Sequence, residues 1–211
     1  MKKQWIKQAL SGVVLLALAA TGHAGYGAKP TLSSTTKGGD TYATVTGQIA
    51  INAPLTSAIA VILDTGIVTR WVHNCEKSSV VAAPAPNDQT LHMVFKTPPP
   101  FSARDGYVRF LGSHAGGRFE MQMIEASGPA PSGKDVRLRD LRGKFVIETL
   151  GNQQIGVTFQ LHIDPSIKPV FAANANVEGI VSNTLKNLKQ LAEGSYKNKD
   201  LSASAKAALG L

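Results

Sequence analysis

At Pro165 and Pro169 the apolar residues of this chain change period. Beyond them Val177, Ile180, Val181, Thr184, Leu185, Leu188 and Leu191 recur along one helical stripe, with Asn183, Lys186, Asn187, Lys189 and Gln190 on the opposite side. Before them the spacing is two. Ile155, Val157, Phe159, Leu161 and Ile163 alternate without a break, which is the mark of a strand with one buried face. A single long half-apolar helix behind a train of half-apolar strands has one economical solution: its stripe covers the apolar face of the sheet.

The strands are punctuated by turn chemistry. Ala43, Val45, Gly47, Ile49 and Ile51 alternate within 41–51. Pro54 then suits a first helical turn, since the amide hydrogen it lacks would be unpaired there. Leu55, Ile59, Ile62 and Leu63 form the stripe of that helix, Gly66 ends it, and 67–72 fits one more short turn. Strand 78–83 stops at Pro84-Ala85-Pro86-Asn87-Asp88, strand 89–96 at Pro98-Pro99-Pro100 and strand 106–113 near Gly116-Gly117. In 118–125, Phe119, Met121 and Met123 share one face, while Gly151-Asn152 joins strands 143–150 and 153–163 as a tight hairpin. The expected class is α+β, a helix-grip fold: a curved antiparallel sheet wrapped around the long C-terminal helix, with an apolar cavity between them.

Domain organisation follows from composition. Residues 1–24 have the pattern of a secretory signal: Lys2, Lys3 and Lys7, an apolar run over 13–20, and Gly22-His23-Ala24 as a small-residue cleavage site. That run falls short of the roughly 20 apolar residues a span needs. The expected mature chain starts near Gly25 and is periplasmic or secreted. No cysteine stands at the cleavage site to carry a lipid anchor. Residues 25–40, rich in Gly, Ser, Thr and Lys, show no apolar period and are expected to be a flexible lead-in. The domain proper is 41–192, and 193–211 is a tail with room for a small helix over 201–209. Removing 1–24 takes away three lysines and no acid, so the formal charge falls from +8 to +5. This excess suits transient contact with an anionic membrane surface and is too dispersed for nucleic acid. Arg137, Arg139, Arg142 and Lys144 cluster, but Asp135 and Asp140 interrupt them, as in a solvated hairpin.

Catalytic and cofactor signatures are missing from the pattern. His23, His73, His92, His114 and His162 are scattered, without metal-ligand spacing. His92 and His162 fall opposite the apolar strand faces and are expected in solvent. Asp64, Glu76 and Glu125 stand apart, and Gly112, Gly116 and Gly117 do not open a helix that could hold a phosphate. Cys75, the lone cysteine, fits a small buried apolar residue.

Residues 71–110 carry a more specific pattern: Trp71, the strand Leu91-His92-Met93-Val94-Phe95, the triple proline, and Ser102-Ala103-Arg104-Asp105-Gly106-Tyr107-Val108-Arg109-Phe110. With Asn183-Thr184-Leu185-Lys186-Asn187-Leu188 on the last helix, the chain resembles the START lipid-transfer family over about residues 41–192. The resemblance implies non-covalent binding of a lipid or other hydrophobic molecule, no catalytic group, no cofactor, and a gate at the last helix or a neighbouring loop. Protein partners are unspecified by it. On this basis the cavity is lined by Met93, Phe95, Arg104, Phe110, Phe119, Met121, Met123, Phe159, Leu161, Val177, Ile180, Val181 and Thr184; read without the resemblance, these apolar residues are packed core. Arg104-Asp105 is expected to be a charge pair fixing its turn, with a polar anchor at the pocket mouth as the other reading. In sterol-carrying members a second Arg, six positions on, meets an acid inside the cavity. Here that position is Phe110, which argues against sterol. Trp71 is expected to brace its helix rather than touch ligand. A polyketide cyclase or aromatase on the same scaffold is the alternative, and would need titratable groups converging inside the cavity.

Overall fold

The computed structural model describes residues 25–151 and 153–211. The expected signal segment and Asn152 of the expected hairpin lie outside the described residues. The strands are β1 (Thr31–Thr35), β2 (Thr44–Ile51), β3 (Cys75–Ala85), β4 (Asp88–Phe95), β5 (Arg104–Ala115), β6 (Arg118–Ala126), β7 (Val136–Arg137), β8 (Arg139–Gly151) and β9 (Gln154–Asp164). Among the described residues, four α-helices accompany them: α1 (Leu55–Leu63), α2 (Val68–Trp71), α3 (Val170–Glu193) and α4 (Ala203–Leu209). The sheet runs β1-β2-β9-β8-β6-β5-β4-β3, antiparallel throughout this path, with short β7 pairing parallel to the start of β5. This is the helix-grip arrangement. Val45, Ile49 and Ile51 of β2 and Val157, Phe159 and Leu161 of β9 join Val181, Leu185 and Leu188 of α3 in one core.

One glycine sets how closely α3 can lie on the sheet. A Cβ at Gly47 would stand 2.6 Å from Val181 Cγ1 and 2.7 Å from Leu185 Cδ1, so the helix rests directly on β2 backbone. The helix opens just after Pro169, at Val170, well ahead of the first periodic residue, Val177. Its opening turns were invisible to periodicity because Phe171 and Ala175 point to solvent while Ala173 is buried, so small and large apolar residues stand on both sides.

Both flanks of the domain need correcting. Thr31–Thr35, expected in a flexible lead-in, pairs with β2 from Thr31 opposite Gln48 to Thr35 opposite Thr44. All five residues are exposed, so this strand is held by its backbone hydrogen bonds and leaves no apolar period to read. Nearby, Tyr26 lays its ring over Gly156, and its hydroxyl donates to Glu148 at 2.7 Å. At the other end, 193–211 is no loose tail. Tyr196, Leu201, Ala205 and Leu209 are buried in the main core, and the Tyr196 hydroxyl donates to Asp64. Ser202 caps α4 by accepting from the Ala205 amide at 3.2 Å.

The basic cluster is likewise more than a solvated hairpin. Arg137 sits on β7 and donates through Nε to Asp105 Oδ1 at 2.8 Å and through Nη2 to Oδ2 at 3.2 Å. The parallel pairing of β7 with β5 brings the two together, and short sequence spacing could not show it.

Candidate ligand-binding cavity

Between α3 and the concave face of the sheet lies a partly open cavity of about 50 Å³. Its aromatic floor is built on three elements. Phe145 of β8 stacks on Phe159 of β9 at 4.0 Å, and Trp71 of α2 meets Phe145 edge-on at 5.7 Å. Strand alternation puts these rings on one face, and antiparallel register places Phe145 opposite Phe159. Met93 of β4 and Met123 of β6 add flexible thioethers to the wall.

The α3 stripe divides into two rows. Asn176, Ile180 and Thr184, four residues apart, face the cavity, whereas Val181 and Leu185 of the adjacent row pack on Gly47. The polar side chains of α3 also anchor α2. Thr184 Oγ1 accepts from the His73 amide at 3.0 Å, and Asn187 Nδ2 donates to the Trp71 carbonyl at 3.4 Å, so the segment 183–188 ties the end of α2 to the helix that roofs the cavity.

Of the residues assigned to the cavity from sequence, Met93, Phe95, Arg104, Met123, Phe159, Leu161, Ile180 and Thr184 lie in its wall. Five do not. Val177 and Val181 are buried in helix–sheet packing, and Phe119 is buried in the core beside Gly112. Phe110 and Met121 line a smaller separate space with Ile62, Leu63 and Leu91. Alternation tells which face a residue is on, but not how far along the strand the covering helix reaches; α1 and α2 fill that far end. The wall also contains Val72, Lys96, Thr97, Val108, Leu138, Leu141, Phe145, Ile163, Pro165, Ile167 and Asn176. Ile163 already stood in the alternation of β9, and Phe145 could have been found by reading the same alternation in β8. Trp71, expected only as a brace, is part of the wall as well, and its buried Nε1 finds no acceptor among the described residues.

Arg104 and Asp105 do not form a pair with each other. Adjacent strand residues face opposite sides. Arg104, 5% exposed, turns to the cavity, and its Nε donates to the Pro165 carbonyl at 2.6 Å and its Nη1 to that of Ser102 at 2.5 Å. Burial lowers its pKa from the usual guanidinium value. Asp105, on the outer face, is 3.1 Å from His92 Nε2 and bonded to Arg137. Burial acts to raise its pKa, yet the Arg137 and His92 hydrogen bonds hold it below the ordinary carboxylate value.

His92 and His162 are on the outer face as alternation requires, but neither is free in solvent. His92 stacks on Tyr107 at 4.6 Å, and His162 is 2% exposed, between Thr44 and Asp140. Asp40, Asp140 and His162 bring possible ligand atoms within 4.8 Å of one another. The Arg142 guanidinium already donates to both carboxylates, and its hydrogen bond lowers the Asp140 pKa, so a metal ion would have to displace Arg142 from both.

No protein-family model and no curated protein sequence matches the chain. Solved structures match in fold. The STAR-related lipid transfer protein of Xanthomonas axonopodis aligns at a TM-score of 0.70 and 23% identity, over 77% of this chain and 93% of its own. Human StAR-related lipid transfer protein 5 aligns at 0.72 and 13% identity, over 83% and 89%. The Zhui aromatase/cyclase from Streptomyces sp. R1128 aligns at 0.51 and 12% identity, over 72% and 92%. The architecture is therefore the START-type helix-grip fold, shared by proteins named as lipid carriers and by one named as an enzyme.

Proposed function

From a START-type fold closed around an apolar cavity, we propose that this chain is a non-catalytic carrier of a lipid or similar hydrophobic molecule, exported after removal of residues 1–24. One observation carries the reading. The cavity wall is made of aromatic, aliphatic and thioether side chains, and its only ionisable members among the described residues are Arg104 and Lys96. General acid–base chemistry needs groups of complementary pKa converging on a reacting atom, and two cations do not supply them. Burying a hydrocarbon chain needs only apolar surface, at about 0.8 kcal/mol per methylene. The structural likeness to an aromatase/cyclase keeps the enzyme reading as the alternative, and the same wall argues against it.

The test is a native mass spectrum of the protein purified from the compartment in which it accumulates, before and after organic extraction. A discrete added mass that extraction removes is the expected result and identifies the ligand class. A bare chain that also takes up nothing from mixed lipid vesicles would overturn the carrier reading. Processing is read from the same spectrum, because the carrier mass should begin near Gly25.

A further inference from the structure

The charge in the cavity wall is of one sign. Arg104 and Lys96 are cations, and no Asp or Glu among the described residues lines the space with them. Lys96 is largely exposed and has Glu76 at 3.9 Å. Arg104 is buried, and among the described residues no carboxylate forms a salt bridge with it. Its two hydrogen-bond partners are backbone carbonyls, Pro165 O and Ser102 O, which orient the guanidinium without neutralising it. A guanidinium has more N–H groups than these two acceptors use, and Nη2 has no partner among the described residues. Buried charges in proteins are ordinarily paired, so an isolated one in the wall of a ligand cavity is suited to an anion. The Phe101 ring lies 6.0 Å from Cζ.

We propose that Arg104 receives the anionic head of an amphiphile, a carboxylate or a phosphate, whose apolar chain lies along Met93, Phe145, Phe159, Leu161 and Ile180. The proposal names the ligand class for the carrier reading above and rests on it. The geometry favours an oxyanion over a neutral hydroxyl, because two oxygens sharing a negative charge match the guanidinium edge bidentately and offset its desolvation. The same end of the cavity is walled by the loops between β4 and β5 and between β9 and α3. Arg104 ties these two loops together through Ser102 and Pro165, so a bound head group would sit where the wall is already braced.

The test compares three probes of equal chain length on the lipid-stripped protein, purified from the compartment in which it accumulates, at pH 8: dodecanoate, dodecyl phosphate and dodecanol. At least one anion should bind about tenfold or more tightly than the alcohol, the scale of one charge-assisted contact. Which anion is preferred distinguishes a carboxylic acid from a phosphorylated lipid. Arg104→Gln should remove that preference, bringing the anion and alcohol affinities within about twofold of each other, while Lys96→Gln should keep it. Equal binding of alcohol and both anions to the wild type overturns the anion seat, leaves the carrier reading standing, and needs no folded variant. A preference lost in Lys96→Gln but kept in Arg104→Gln also overturns it. Failure of all three probes to bind overturns the anion seat as well, and the native mass spectrum and vesicle uptake above decide the carrier reading separately.

Discussion

Asp105 shows at a single residue how the strand's two faces do different work. Its neighbour Arg104 looks into the cavity, while Asp105 gathers Arg137 and His92 on the outside. Replacing it by Asn keeps the shape and removes the charge, and should cost about 1.5–3 kcal/mol at pH 7, the usual scale of hydrogen bonds to a charged group. The pH dependence has a definite sign. The folded pKa lies below the unfolded one, so the contribution is complete above about 3.9 and is lost as pH falls through the folded value. Denaturant melts of wild type and Asp105→Asn should therefore converge below about pH 4, and a gap that stays constant to pH 2 would contradict the assignment. Cys75 gives a second check at this scale. Burial pushes its thiol up to about 12, and Sγ donates to the Lys77 carbonyl at 3.3 Å. Iodoacetamide at pH 8 should leave it unmodified in the native protein and label it once the chain is unfolded in guanidinium; stoichiometric native labelling would mean that the α2–β3 junction opens readily.

At the scale of elements, α3 sorts its side chains by row, and mutations one residue apart should fail differently. Ile180 borders the cavity, so Ile180→Trp should fill it and weaken ligand binding about tenfold or more in a folded protein. Val181 rests on Gly47 with no room to spare, so Val181→Trp should overpack the helix–sheet contact and cost about 1–3 kcal/mol or more. Circular dichroism melts beside a lipid-uptake assay separate the two; full uptake by folded Ile180→Trp would remove the helix from the cavity wall. This division also marks how far the sequence could be read. The period change at Pro165 and Pro169 identified α3, and alternation identified the inward faces of β4, β6 and β9, because both signals come from which side meets water. Rows within one apolar stripe carry no such difference: Ile180 and Val181 are both aliphatic, and only contact with β2 distinguishes them. Edge strand β1 was hidden for the opposite reason, having no buried face at all, and Phe110 was displaced from the cavity by α1 and α2 rather than by anything in its own strand.

For the whole molecule, the sheet wraps α3 but leaves the far end of its concave face to be closed by other pieces, and the C-terminal segment is one of them. After Gly194 the chain turns back along α1. Tyr196 donates to Asp64, and the Asn198 amide donates to Ser57 Oγ at 3.0 Å. Leu201 and Leu209 enter the main core, and Asn87 Nδ2 reaches the Ala208 carbonyl at 3.3 Å, which ties α4 to the β3–β4 turn. Phe145, Phe159 and Ile180 stand on other elements, so this segment should matter to stability far more than to the ligand seat itself. Ending the chain at Glu193 strips roughly 1.5–3 kcal/mol of burial for each of Leu201 and Leu209. It also removes about 1 kcal/mol for the Tyr196 hydrogen bond. At about 2–4 °C per kcal/mol for a chain of this size, the truncated protein should melt roughly 10 °C or more below the full chain. Below its own transition it should still discriminate ligands in the same order. A truncation that melts within about 2 °C of the full chain would show that 194–211 is the detachable tail its composition resembles.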